Sequence, residues 1–131
     1  MLASMSRGAQ AYYQTQIQTQ SPIELVVMLY DGALRFMRTA AEAMGRHDLA
    51  AKRDAISRAL AIISELQSTL NMDAGGDIAT SLDALYTYVN GRLLDANIKG
   101  ELDAVHESVR LLTPLRDAWA QIAASAPQTS R

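Results

Sequence analysis

The stretch Ser21-Pro-Ile-Glu-Leu-Val-Val-Met-Leu-Tyr-Asp-Gly-Ala-Leu-Arg-Phe-Met37 constrains this chain more than any other. Ser21 is a helix N-cap, and Pro22 supplies a preset φ at the first helical position, where its missing N–H would be orphaned anyway. Glu24, three residues after Ser21, completes a capping box. Ile23, Val26, Val27, Tyr30, Leu34, Met37, Ala41 and Met44 step by three and four, while Leu25, Leu29 and Phe36 occupy other faces. A helix apolar on nearly every side, yet too short in its apolar run to span a membrane, must be enclosed by other helices. Gly45 is its expected end, with Arg46 at the negative pole of the helix dipole.

The remaining sequence supplies those helices. Asp48 caps a second one of about 24 residues, near the upper range for globular helices. Its main stripe is Ile56, Ala59, Leu60, Ile63, Gln67 and Leu70, with a flanking row of Ala55, Ile62, Leu66 and Thr69. Asn71 to Gly76 reads as a stop and a loop. Asp77 then caps a third helix with the stripe Ile78, Leu82, Leu85, Val89, Leu93 and Ala96, from which Tyr86, Tyr88 and Leu94 point away. A turn over residues 97–100 leads to a fourth helix carrying Leu102, Val105, Val109, Leu112, Leu115, Trp119 and Ile122. Pro114 is expected to kink or break it, because proline lacks an N–H and crowds the carbonyl four residues earlier.

Four amphipathic helices on short connections give an all-α, antiparallel up-down-up-down four-helix bundle. At 131 residues the chain makes one domain, and 49% hydrophobic with 20% charged residues is a globular balance. Residues 1–20 differ. Gln10, Gln14, Gln16, Gln18 and Gln20 leave little apolar surface beyond Tyr12, Tyr13 and Ile17, so this segment reads as a flexible N-terminal arm. The organisation expected is an arm over 1–20, a bundle over 21–124 and a disordered tail over 125–131.

Composition also excludes functions. The chain has no cysteine, hence no disulfide framework and no thiolate metal site. Net charge is -2 with both signs interspersed and no basic cluster, which argues against nucleic acid. The N-terminus lacks the pattern of a secretory signal, so the expected location is the cytoplasm, without membrane insertion. A di-iron bundle needs two Glu-x-x-His motifs and two further glutamates facing inward. Only Asp103-Ala-Val-His106 approaches that pattern, and His47 falls in a loop. No P-loop, nucleophile elbow or zincin motif is present. The reading is a protein without catalytic residues, metal or cofactor.

Two features remain to be explained. A charge and a glycine inside an apolar helix, Asp31-Gly32, cost helix stability, about 1 kcal/mol for the glycine. Close helix packing at Gly32 and an ion pair from Asp31 to Arg92 or Arg116 account for them; a direct binding role for Asp31 is the alternative. The second feature is the surplus apolar rows, Ile62 and Leu66 on one helix and Tyr86, Tyr88 and Leu94 on the next. They form a wider core or a homodimer seam, or else a groove for an amphipathic helix of another protein.

Four pieces of sequence carry a family resemblance in their order and spacing. They are Tyr12 and Ile17 ahead of Ser21-Pro22; Leu25-Val-Val-Met-Leu-Tyr-Asp-Gly-Ala-Leu-Arg-Phe36; Leu82-Asp-Ala-Leu-Tyr-Thr-Tyr-Val89 with Arg92-Leu93 and Ala96-Asn97; and Leu112 with Arg116-Asp-Ala-Trp119. From Tyr12 to about Ile122 the chain resembles the flagellin-specific export chaperones, the FliS family. The resemblance implies a helical bundle that binds the C-terminal region of flagellin in the cytoplasm. Such a protein prevents premature polymerisation and delivers its client to the flagellar type III export apparatus. It implies Ile62, Leu66, Tyr86, Val89 and Leu93 as walls of the client groove, with Tyr12 and Ile17 as arm residues that plug it. It also implies Asn97 as a turn-capping residue. The competing reading is a self-associating structural bundle, a homodimer without a client.

Overall fold

A computed structural model describes residues 21–125, which fold as four helices: α1 (Pro22–Gly45), α2 (Leu49–Ser68), α3 (Met72–Lys99) and α4 (Leu102–Ser125). The connections are only two or three residues long, so each helix must reverse against its predecessor. α1 packs on α2 and α4, and α3 closes the square by packing on the same two. Call the end holding the start of α1 the first pole, and the end holding its last turn the second.

α1 starts as its sequence dictates. Ser21 Oγ accepts from the Glu24 N–H at 3.2 Å and Glu24 Oε1 accepts from the Ser21 N–H at 2.9 Å, the two halves of the capping box. The helix buries Leu29, Tyr30, Gly32, Ala33, Leu34, Met37, Ala40 and Ala43. Across from it α2 buries Lys52, Ala55, Ile56, Ala59, Ile63 and Leu66. The small residues on both helices let their backbones approach closely. At Gly32 a Cβ would lie 3.2 Å from Ile62 Cδ1, so the glycine marks a close helix contact. Asp31 is paired with Arg116, Nε to Oδ1 at 2.7 Å, which ties α1 to α4.

Arg92 lies elsewhere. It bonds Glu107 at 2.8 Å and Asp95 and Glu101 at 3.3 Å, knitting α3 to α4. Glu107 also accepts from Tyr88 Oη at 2.8 Å. These two donors, Tyr88 first and then Arg92, hold its carboxyl below the ordinary glutamate value.

Three boundary expectations are corrected. The third helix begins six residues earlier, with Asn71 in place of Asp77 as N-cap, accepting from the Ala74 N–H at 3.0 Å. The expected loop survives only as a break at Gly76 (φ 54°, ψ −132°) inside the helix. The same helix continues to Lys99, so Asn97 sits in its last turn and does not cap the following connection. The Gly100 N–H closes that end on the Ala96 carbonyl at 3.1 Å. Finally, α4 runs unbroken through Pro114. Proline deprives the Arg110 carbonyl of its helix donor, and both residues are exposed, so solvent can reach it. Thr113 Oγ1 meanwhile donates to the Val109 carbonyl at 2.7 Å.

The Gly76 backbone falls where L side chains are strongly disfavoured. Gly76→Ala is expected to cost about 1–3 kcal/mol, the usual range for such strain. Chemical denaturation of the variant checks it.

Candidate functional site

The apolar surplus is real, but most of it lies elsewhere than the sequence rows indicate. Val89 and Leu93 are fully buried in the core, enclosed by α2 and α4. Ile62 is half-buried, and its Cδ1 faces Gly32 on α1. Val89 and Leu93 are packing residues, a correction to the expected groove walls, whereas Ile62 keeps part of its surface open. The cause is rotational: Val89, Leu93 and Ala96 share the inward stripe of α3, while Tyr88 and Leu94 face outward. Tyr12 and Ile17 lie outside the described residues.

Leu66 and Tyr86 do come together, at the base of an open furrow at the first pole. A cavity of about 240 Å³ is lined there by Val26 of α1, Leu66 of α2, Leu70, then Ile78, Ala79, Leu82 and Tyr86 of α3, and Trp119 of α4. α3 forms its ramp. Ile78, Leu82 and Tyr86 recur every four residues on one helix face, and exposure falls from 72% at Ile78 to 2% at Tyr86. Met72 at the start of α3 and Ile122 near the end of α4, at the same pole, are also exposed.

Beneath the furrow lies a polar contact across the bundle diagonal. Tyr30 and Tyr86 share a hydroxyl–hydroxyl hydrogen bond of 2.7 Å, their rings 6.4 Å apart and tilted by 57°. Trp119 is part-buried, and its indole N–H finds no acceptor among the described residues. Burial pushes both tyrosines above their ordinary pKa. For Tyr86 the bond to Tyr30 adds to the rise; for Tyr30 the bond to Tyr86 opposes it. A phenol raised in the folded state contributes stability that is complete below the unfolded value near 10 and lost as pH climbs beyond it. Alkaline titration should therefore show two of the five tyrosines un-ionised until the helical signal collapses. Phenolate absorbance, read beside circular dichroism, checks this.

The sequence reading missed Val26, Leu70, Ile78, Leu82 and Trp119 as furrow residues, since helical spacing had placed all five in the core. One signal was available: Ile78 and Leu82 follow the Gly75-Gly76 pair directly, where the chain has few neighbours to bury them. Among the described residues no group of three or more His, Cys, Asp or Glu is arranged to hold a metal ion. No described helix is long and apolar enough to cross a membrane.

Comparison with known proteins gives the geometry its context. A family model described as "Flagellar protein FliS" matches residues 5–126. A protein of Bacillus subtilis named flagellar secretion chaperone FliS is 40% identical over 111 residues, spanning 85% of this chain and 82% of its own. Its namesake in Salmonella typhimurium is 37% identical over 124 residues, spanning 91% and 92%. A solved structure described as a flagellar chaperone from bacteria superposes with a TM-score of 0.75 at 21% identity, covering 91% of this chain and 99% of that one. That last likeness speaks for the fold; the family match and the relatives, running through all four helices and across the furrow, establish that this chain belongs to the FliS family of flagellar proteins.

Proposed function

We propose that this protein is a cytoplasmic export chaperone whose first-pole furrow holds an amphipathic helical segment from the C-terminal region of flagellin. Bound there, the segment is kept from premature polymerisation until the flagellar export apparatus receives it. The family and the secretion-chaperone names of the relatives support the role. The observation that carries the site is the ramp from Ile78 down to Tyr86, an apolar surface the bundle leaves open at its mouth.

The energetics suit a reversible holder. Burying a client's apolar face returns roughly 25 cal/mol per Å², and ordering that face offsets part of the gain. A complex of about −8 kcal/mol, micromolar, is strong enough to form and weak enough to be unloaded. The arm adds a second control. Ser21 opens α1 at the same pole, and in this reading Tyr12 and Ile17, which precede it in sequence, act as competitors for the furrow. Competition of that kind lowers apparent client affinity by the fraction of furrows occupied.

Size-exclusion chromatography of the chain mixed with monomeric flagellin tests the proposal. Co-migration that is lost when the C-terminal region of flagellin is deleted supports it. A stable dimer that ignores flagellin supports a self-associating bundle instead.

A further inference from the structure

The second pole holds a separate cavity, of about 200 Å³, formed by Ala43 and Met44 at the end of α1, His47 and Asp48 in the turn, Leu49 and Lys52 of α2, and Gly100 and Leu102. Lys52 is its anomaly. The residue is only 8% exposed, yet no carboxylate among the described residues lies within ion-pair distance of it. Its one hydrogen-bond partner among the described residues is the Asn97 carbonyl at 3.0 Å, in the last turn of α3. That carbonyl end of a helix offers a partial negative charge, and two of the three ammonium N–H groups remain. A buried cation ordinarily has a full anionic partner.

The cavity's other groups do not provide one. Asp48 Oδ1 is engaged in capping α2 through the Ala51 N–H at 3.1 Å, and Oδ2 lies 3.9 Å from Arg46. Residues 1–20 and 126–131 contain neither Asp nor Glu, so no side chain from those segments supplies the charge. Besides His47, Asp48 and Lys52 the lining is apolar or glycine, and its rim residues Leu49 and Leu102 are exposed. The cavity also lies across the helix ends, where a helix laid lengthwise would meet the turn residues His47 and Gly100. A chain end fits this shape better.

We infer that the second-pole cavity binds the C-terminus of another polypeptide, its α-carboxylate on Lys52 and an apolar terminal side chain against Met44, Leu49 and Leu102. This docking surface is separate from the furrow and stands or falls independently of the function proposed above.

The test titrates the full-length, isotope-labelled chain with hexapeptides by NMR. One probe is a glycine-serine peptide ending in two leucines with a free carboxylate. The second is its C-terminal amide, and the third is an amide carrying glutamate in place of the last leucine. The free acid is expected to shift the backbone amides of Leu49, Lys52, Gly100 and Leu102 and to bind at least tenfold more tightly than its amide. Lys52→Met should erase that preference. Should this variant fail to fold, Leu102→Glu, altered at the exposed rim, should abolish binding with the helices intact. Equal binding of acid and amide, a glutamate peptide matching the acid, or a preference surviving in either variant would overturn the inference. So would concentration-dependent shifts at the same amides without peptide, which would assign the cavity to a second copy.

Discussion

Replacing Ile78 with glutamate is expected to weaken flagellin binding by about 30- to 100-fold while leaving the thermal midpoint of the bundle unchanged. The two halves of that expectation come from one number. Ile78 is 72% exposed, so the folded chain gains little from it and loses little by its removal. A client seated on the ramp would bury the new carboxylate without a partner, and a central interface residue of this kind is worth about 2–3 kcal/mol. Ile98 provides the control, being 78% exposed on the same helix but at the opposite pole. Ile98→Glu should leave binding where it was. Isothermal titration with monomeric flagellin reads both variants. If they behave alike, the furrow is not where the client sits.

Truncating Tyr86 to alanine is expected to have the largest effect on stability, a loss of about 4–8 kcal/mol. Removing a buried aromatic ring costs about 3–5 kcal/mol through lost transfer energy and the cavity left behind. Stranding the Tyr30 hydroxyl adds about 1–3 kcal/mol, since its bonded partner is the one removed. Against a typical total of about 5–15 kcal/mol for a domain, the variant would sit near the edge of folding. Tyr86→Phe keeps the ring and loses only the hydroxyl pair, with an expected cost of about 1–3 kcal/mol for the stranded Tyr30 hydroxyl. Urea denaturation separates the two. Client binding should survive in the phenylalanine variant, because the furrow floor presents the same apolar ring.

The fold was legible because its signals are local and redundant. The Ser21–Glu24 box, the Asp48 cap and the stop at Gly45 each act within a few residues, and all three stand in the structure as read. The pairing of Asp31 with an arginine, and the glycine beside it as a close contact, followed from the cost of leaving either unexplained inside an apolar helix. Where the reading failed, the deciding fact was not local. Pro114 was expected to kink or break α4 on backbone grounds, and the break is absent, Pro114 and Arg110 both being exposed to solvent. Asn71 and Asp77 are both good caps, and spacing gave no basis for preferring the earlier one.

The site was harder to read for a related reason. Periodicity says which residues share a face; it does not say how far along a helix its neighbours extend. Ile78 and Val89 belong to one stripe, yet one is mostly in solvent and the other fully enclosed. Leu66 and Tyr86 line the furrow, Val89 and Leu93 serve the interior, and Ile62 packs half-buried against Gly32. Lys52 gave no warning at all, since a lone lysine in an amphipathic helix is ordinarily a solvated one.

The uneven enclosure of α3 gives one continuous helix two different lifetimes. From Met72 to Ser81 nearly every side chain is open to water, and a glycine break separates the first turn from the rest. From Tyr86 to Ala96 the same helix is anchored every third or fourth residue. Amide protons in the first stretch should exchange through small, frequent openings, and those in the second only when the whole domain comes apart. The half that unravels cheaply is the half that borders the furrow, so reshaping it around a bound chain costs the remainder of the bundle nothing.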